Sequence, residues 1–298
     1  MATKPASWAW ASSSLSANAQ TRIGYGGFLL PMWENTGSNL KDLIGGSTTF
    51  AALAGAAPPT WDATVEGVSL DFPGVSSRVD FATIGGFGTY CGNGDCTIYT
   101  VLRCGQTGTR VAICADRDFA DANWAVNLEQ IAANPFQAAV TTDTVHVVNG
   151  ASANTSSLFT VVMRYDSVNH FVDIDVNGTS ATPVSTTATA LANGTDFTLG
   201  RSGGIAARFF VGDMLLFGAS LARWTDTDVD TFAADPFDLI TNVGGGGIVD
   251  RSISRGLTRG IARGLSNVCA RVRDVGGLWL PKDRRLVIPV GASLQGAR

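Results

Sequence analysis

At 298 residues the chain is long enough to bury a sizeable core, and with three glutamates and three lysines against 35 glycines and 22 aspartates it is short of the residues that build surface helices. Its formal net charge of −4 divides unevenly: ten Arg or Lys and three Asp from residue 249 to 298 give +7, leaving 11 basic and 22 acidic side chains, or −11, in residues 1–248. An acidic body argues against nucleic acid as its ligand, since phosphates are met by clustered cations, and no run approaches the ~18 to 20 apolar residues of a membrane helix.

In chain order, residues 1–24 are rich in Ala and Ser around Trp8 and Trp10 and read as an extended arm. From Tyr25 to Ile240 the punctuation is that of an all-β domain. The run LFTVVMRYDSVNHFVDIDVNGTS holds two alternating stretches split by Asp166 to Asn169, the second closed by the turn pair Asn177-Gly178, so a hairpin is predicted. In its second strand Val172, Ile174 and Val176 share the core face, and Phe171, Asp173 and Asp175 share a face expected to be wet. A further turn at Asn193-Gly194 leads into DFTLGR, and RFFVGDMLLFGASL suits a central, doubly covered strand. One short helix is predicted next. Thr225 and Asp228 form a capping-box variant, Val229, Phe232 and Ala233 share a face, and Asp235-Pro236 ends it. Many short strands with one short helix predict two antiparallel sheets packed face to face.

The order of WENTGSNLKD (Trp33 to Asp42), GVSLDFPG (Gly67 to Gly74), TIYTVLR, FTVVMRYD with FVDIDVNG, DFTLGR and FFVGDMLLFGASLARWTDTDVDTFAADPF resembles the laminin-G-like, concanavalin-A-like jelly rolls. In particular it resembles the versions found in bacteriophage virion proteins. The resemblance covers residues 25–240 and implies an all-β, two-sheet antiparallel jelly-roll sandwich with extended terminal arms. It also implies that Trp33 and Trp224 pack in the core or at the strand-to-helix corner, so packing rather than sugar stacking is the default for Trp33, Trp61, Trp124 and Trp224. Laminin-G-like domains sometimes hold calcium through loop carboxylates. Asp116, Asp118 and Asp121 make an acidic loop, but three aspartates fall short of the six to eight oxygen donors that ion takes.

After Ile240, TNVGGGG (241–247) reads as a flexible joint and residues 248–298 as a basic docking segment. Arg251, Arg255, Arg259 and Arg263 step by four, as do Ile253, Leu257, Ile261 and Leu265, which makes two stripes on a helix. Gly256, Gly260 and Gly264 oppose that helix, each costing on the order of 1 kcal/mol relative to Ala. On a strand, all eight large residues would share one face. In either form the segment has too little apolar surface to fold alone and is expected to order against a partner. Phage structural proteins often carry similar RGLTRG runs. The downstream RVRDVGGLWLPKDRRLVIPVG favours strand addition or subunit docking over a nucleic-acid or membrane contact.

Catalytic and metal motifs are incomplete. VDIDV resembles the Glu-x-Asp-x-Glu strand of laminarinase-type glucanases, but Phe171 and Asn177 flank it where that family's glutamates would stand. Retaining glycoside hydrolysis needs two carboxyls about 5 Å apart in opposed protonation states, which this strand does not supply. Cys91, Cys96, Cys104 and Cys114, with 4, 7 and 9 residues between them, match no common zinc spacing and read as buried reduced thiols, a Cys91–Cys96 or Cys104–Cys114 bridge remaining open. With Cys269 the count is odd, unlike a secreted disulfide scaffold. His146 and His170 lack a nucleophile elbow. No charged-then-apolar leader opens the chain, so a soluble protein made in the cytosol is expected.

The expectation from sequence is therefore a non-enzymatic bacteriophage virion protein, a capsid decoration or tail-fibre component, without catalytic residues, metal or cofactor. Its predicted docking residues toward other virion proteins are Arg251, Ile253, Arg255, Leu257, Arg259, Ile261, Arg263 and Leu265. A homo-oligomer in the virion is expected. The alternative is a carbohydrate-binding adhesin module that takes a host surface glycan.

Overall fold

The computed structural model of the chain describes residues 17–24, 26–81, 83–92, 94–117, 124–186, 190–192, 194, 196–202 and 208–240, all within the first of the two units into which the chain divides, Met1–Gly245. The elements in order are α1 (Ala17–Ile23), β1 (Phe28–Leu30), β2 (Asn39–Leu40), β3 (Ala51–Ala54), β4 (Thr60–Thr64), β5 (Gly67–Pro73), β6 (Arg78–Asp80), α2 (Phe87–Tyr90), β7 (Cys96–Cys104), β8 (Val111–Arg117), β9 (Trp124–Gln130) and β10 (Pro135–Thr141). They continue with β11 (Val145–Ser152), β12 (Leu158–Asp166), β13 (Phe171–Val176), β14 (Thr179–Ser180), β15 (Val184–Ser185), β16 (Phe197–Leu199), β17 (Arg201–Ser202), β18 (Arg208–Phe209), β19 (Val211–Ser220) and α3 (Asp226–Ala234).

Among the described residues the strands form two sheets. The first runs β14-β13-β12-β7-β19-β5-β4, with β1 beside β19 and β15 beside β13. The second runs β11-β10-β9-β8-β16-β6-β3-β2, with the β17–β18 pair attached. Pairing is antiparallel throughout except for one parallel bridge, Phe209 to Ala112. The expected two-sheet sandwich is therefore present. The predicted hairpin is β12–β13, in register from Asp166–Phe171 to Val161–Val176. Its turn is fixed by Asp166, whose Oδ1 accepts the N–H groups of Val168 (3.0 Å) and Asn169 (2.7 Å). At its far end Asn177 and Gly178 both take positive φ, 54° and 78°, as a tight turn matched to strand twist requires.

The apolar run 211–220 becomes the central strand β19, between β7 and β5, as its hydrophobicity predicts. Between the sheets lies a phenylalanine-rich core in which Phe197 sits 4.8 Å from Phe87 and 5.2 Å from Phe81, centroid to centroid. The predicted helix is α3, with the Thr225–Asp228 capping box formed and Val229 and Phe232 buried.

A second apolar layer, not foreseen, covers the outer face of the first sheet. Leu29, Tyr99, Val101, Leu158, Val162 and Leu216 face outward there and are sealed by Ala19 and Ile23 of α1, Val229 and Phe232 of α3, and the segment ending at Ile240. Trp224 is its keystone: it stacks on Tyr99 at 4.5 Å, meets Phe232 edge-on at 5.6 Å, and donates its indole N–H to the Arg22 carbonyl at 3.0 Å. Gly218 leaves space for Tyr99, because a Cβ there would lie 2.3 Å from the tyrosine hydroxyl. Residues 17–23, placed in an extended arm by their composition, are instead a helix docked on their own domain. The buried Arg22 guanidinium fastens it to Asp238 at 2.5 Å. The rest of the predicted N-terminal arm, residues 1–16, the predicted linker 241–247 and the predicted docking segment 248–298 lie outside the described residues.

One expectation is reversed. Asp173 and Asp175, assigned to a wet face, are each only 1 % exposed. The reason lies across the sheet and in the chain beyond it. Arg164, which faces Asp173 on β12, donates Nε to Asp173 at 2.8 Å and Nη1 to Asp226 at 2.7 Å, while Arg223 reaches Asp173 at 3.2 Å and lies 4.7 Å over Phe171. Burial works to discharge Arg164, but the hydrogen-bonded carboxylates of Asp173 and Asp226 outweigh it and hold it charged. Asp175 accepts Gly178 N–H and Ser180 Oγ–H at 2.8 and 2.9 Å. Replacing Arg164 by Met leaves the buried Asp173 charge with Arg223 alone and is expected to cost about 3 kcal/mol in urea unfolding, whereas Arg164→Met with Asp173→Leu recovers most of that loss. Equal losses in the single and double variants would show that the ion pair does not carry the stability of this face.

Candidate functional site

The second sheet is built differently. Its consecutive strands β8 to β11 alternate, with Val126, Leu128, Phe136, Ala138, Val140 and Val148 joining the inter-sheet core. The intervening positions align across strands because the register pairs Asn149 with Gln137, Gln137 with Glu129, and Glu129 with Ala112. The neighbouring row pairs Val147 with Ala139, Ala139 with Asn127, and Asn127 with Ala115. A polar row thus runs beside a row of mostly small side chains.

The polar row is wired to itself. Gln137 donates Nε2 to Asn149 Oδ1 at 2.8 Å and accepts a long hydrogen bond, 3.4 Å, from Arg110. Arg110 grips Glu129 with both Nε, at 2.8 Å to Oε2, and Nη2, to Oε1. Arg208, from β18, adds Nη1 to Glu129 Oε2 at 3.2 Å. The Glu129 side chain has no exposed surface, while those of Arg110 and Arg208 keep 42 % and 25 %. The hydrogen bond to Glu129 raises the Arg110 pKa against the effect of burial, so this guanidinium stays charged. Asn127, 1 % exposed in the adjoining row, leaves Oδ1 without a hydrogen-bond partner among the described residues. Fixed donors and acceptors of this kind suit recognition of hydroxyl and anionic groups.

A second titratable cluster lies on the first sheet, away from its helices. Asp71 and Asp213 are cross-strand partners, and Asp213 accepts Ser69 Oγ–H at 3.2 Å. Burial raises the pKa of both, that of Asp71 further through Asp213 and Asp62. Arg103 bonds Glu66 at 2.6 Å and approaches Asp213 at 3.8 Å.

The residues singled out in the sequence fall elsewhere. Arg251, Ile253, Arg255, Leu257, Arg259, Ile261, Arg263 and Leu265 lie outside the described residues, as do Asp118 and Asp121. Asp116 is fully buried and accepts the N–H groups of Gly194 (3.1 Å) and Ala125 (3.3 Å), a scaffold role within β8. Among the described residues no three His, Cys, Asp or Glu side chains are grouped to hold a metal ion. Cys91, Cys96, Cys104 and Cys114 are buried thiols. The Cys96 thiol is pushed up by its hydrogen bond to Cys91 and by burial, and burial pushes Cys104 up to about 12. Trp33 and Trp224 pack in the second layer as anticipated, and half-buried Trp61 donates to the Gly37 carbonyl at 3.0 Å. His146 contacts Thr142 and Thr144. Arg110, Glu129, Gln137, Asn149 and Arg208 were not singled out. The available signal was Asn127 and Glu129 two apart in the otherwise apolar WAVNLEQ.

No protein-family model and no curated protein matches the chain. The sandwich is similar to solved structures. One is the Trypanosoma rangeli sialidase in complex with 2,3-difluorosialic acid, with TM-score 0.54, 12% identity, and 72% of this chain covering 33% of that one. Another is the binding domain of Paraclostridial Mosquitocidal Protein 1, with TM-score 0.55, 10% identity, and 71% of this chain covering 52% of that one. The chain thus spans about a third of the sialidase and about half of the toxin structure. These likenesses show the fold, a two-sheet sandwich also found in binding domains. They also correct one expectation: structures similar to this chain include sialidases, so the reading of the chain as non-enzymatic is withdrawn.

The carboxylates give a pH signature. Burial is the largest cause raising Asp42, Asp71, Asp116, Asp175, Asp213 and Asp238 above the ordinary aspartate value of 3.8. Asp166 sits below it, because N–H groups of Asn169 and Val168 outweigh its burial, and Asp226 sits below it through Arg164. A raised pKa means the folded chain binds the proton more tightly, so stability falls as pH rises through those values. Urea unfolding is therefore expected to show stability rising as pH drops from 7 through the folded-state values toward 3.8. The two lowered groups begin to subtract only nearer 3.8 and below. A monotonic loss on acidification from pH 7 would contradict this balance.

Proposed function

We propose that residues 17–240 form a carbohydrate-binding module of an adhesin or tail fibre, with the outer face of the second sheet as its ligand site. The observation that carries the reading is the self-wired row of Asn149, Gln137, Glu129, Arg110 and Arg208. Saccharides are recognised through paired hydroxyls, which planar amides, carboxylates and guanidiniums match in geometry. Side chains already held by one another on rigid strands lose little freedom when a ligand arrives. The likeness to a toxin's binding domain supports the choice of a binding role at the level of fold only. On a glycan array the full chain is expected to give saturable binding to a restricted set of sugars, with Gln137→Ala and Asn149→Ala each weakening it about tenfold, the scale of one or two hydrogen bonds. Saturable binding that both variants leave unchanged would remove this face as the site, and absence of any binding would remove the reading.

The setting we propose for the module is a virion, with residues 248–298 docking on other virion proteins. The arginine stripe Arg251, Arg255, Arg259 and Arg263 and its apolar companion support it. Deleting residues 248–298 is expected to abolish incorporation into particles, read by immunoblot of purified particles, while glycan binding persists. Full incorporation of the truncated chain would refute the docking role.

A further inference from the structure

We infer, resting on the carbohydrate-binding reading, that the ligand of this face is an anionic saccharide, one carrying a carboxylate or sulfate group that Arg208 and Arg110 receive together. Charge bookkeeping on the row is the starting point. Glu129 offers two oxygens, and Arg110 alone meets both through Nε and Nη2. Neutralising a buried carboxylate needs one such fork. Arg208 is a second guanidinium on the same carboxylate, joined by a single contact at 3.2 Å, so the trio carries one positive charge in excess.

The donors tell the same story. A guanidinium has five N–H groups. Among the described residues Arg208 uses only Nη1, and Nη1 of Arg110 has no partner. Both side chains are partly exposed, at 25 % and 42 %, whereas the Glu129 carboxylate between them is covered. Glu129 is therefore a positioning residue that spaces two forks whose remaining donors are reachable. The surrounding body carries −11 over residues 1–248, so an anion gains no long-range attraction from it, and recognition must come from these local donors.

The test uses the full chain on an array of neutral oligosaccharides printed beside the same backbones bearing carboxylates or sulfates. Charged members are expected to bind at least about tenfold more tightly than their neutral parents, the scale of one hydrogen bond between charged partners, and to lose that advantage as salt rises from about 0.05 to about 0.5 M. Comparison of the carboxylated and sulfated arms identifies the group. Arg208→Gln is expected to reduce charged members to the level of their neutral parents, while Gln137→Ala lowers both alike. Circular dichroism checks that the variant is folded. If it is not, Arg208→Lys, which keeps the charge and loses the fork, is expected to narrow the preference, and the salt response of the unaltered chain still decides. Neutral parents bound as tightly as charged members would overturn the anionic inference and leave the module standing, and no binding to any member would overturn both.

Discussion

A sheet covered on both faces has to accommodate whatever polar side chains its alternation sends outward, and the first sheet does so with hydrogen-bonded ion pairs. Arg164 and Asp173 meet on adjacent strands, and Arg223 and Asp226 close over them from the chain that follows β19. Without these partners Asp173 would be an uncompensated charge under a helix-bearing layer. With them, α3 and the Trp224 corner settle onto Tyr99, and the Trp224 indole and Ser220 hydroxyl capture the Arg22 carbonyl at the end of α1. The two ends of the domain are thereby joined on one face.

That covering sets the division of labour. The first sheet has its outer face committed to α1, α3 and the segment ending at Ile240, while the second carries a polar row across three of its antiparallel strands with partly exposed arginines at one end. Strands hold their side chains at fixed spacing, so a row built from neighbouring strands is a rigid array. A buried carboxylate shared by two guanidiniums is costly to place in a fold, and its cost is offset by three charge-assisted hydrogen bonds. The same sandwich occurs in a sialidase and in a toxin binding domain, so architecture alone does not choose between chemistries, and the choice rests on this row.

Several parts of this arrangement are written locally. The β12–β13 hairpin, the Asn177-Gly178 turn, the central apolar strand β19 and the capped helix α3 each follow from residues within about a dozen positions of one another, which is the range over which alternation, turn chemistry and capping act. The short strands β14, β15 and β17 and the helix α1 carry too few periodic residues to announce themselves.

What the sequence determined by itself is the class of fold, its turns, its one well-capped helix and the contrast between an acidic body and a basic end. Tertiary structure alone decided that Asp173 and Asp175 are buried, that α1 belongs to the domain, and that Arg110, Glu129, Gln137, Asn149 and Arg208 form one surface. Each of those outcomes depends on partners remote in the chain: Arg22 and Asp238 are separated by 216 positions, Arg164 and Asp226 by 62, and Glu129 and Arg208 by 79. Period and propensity report which face a residue takes within its own strand, and they are silent about which distant charge the fold brings to meet it.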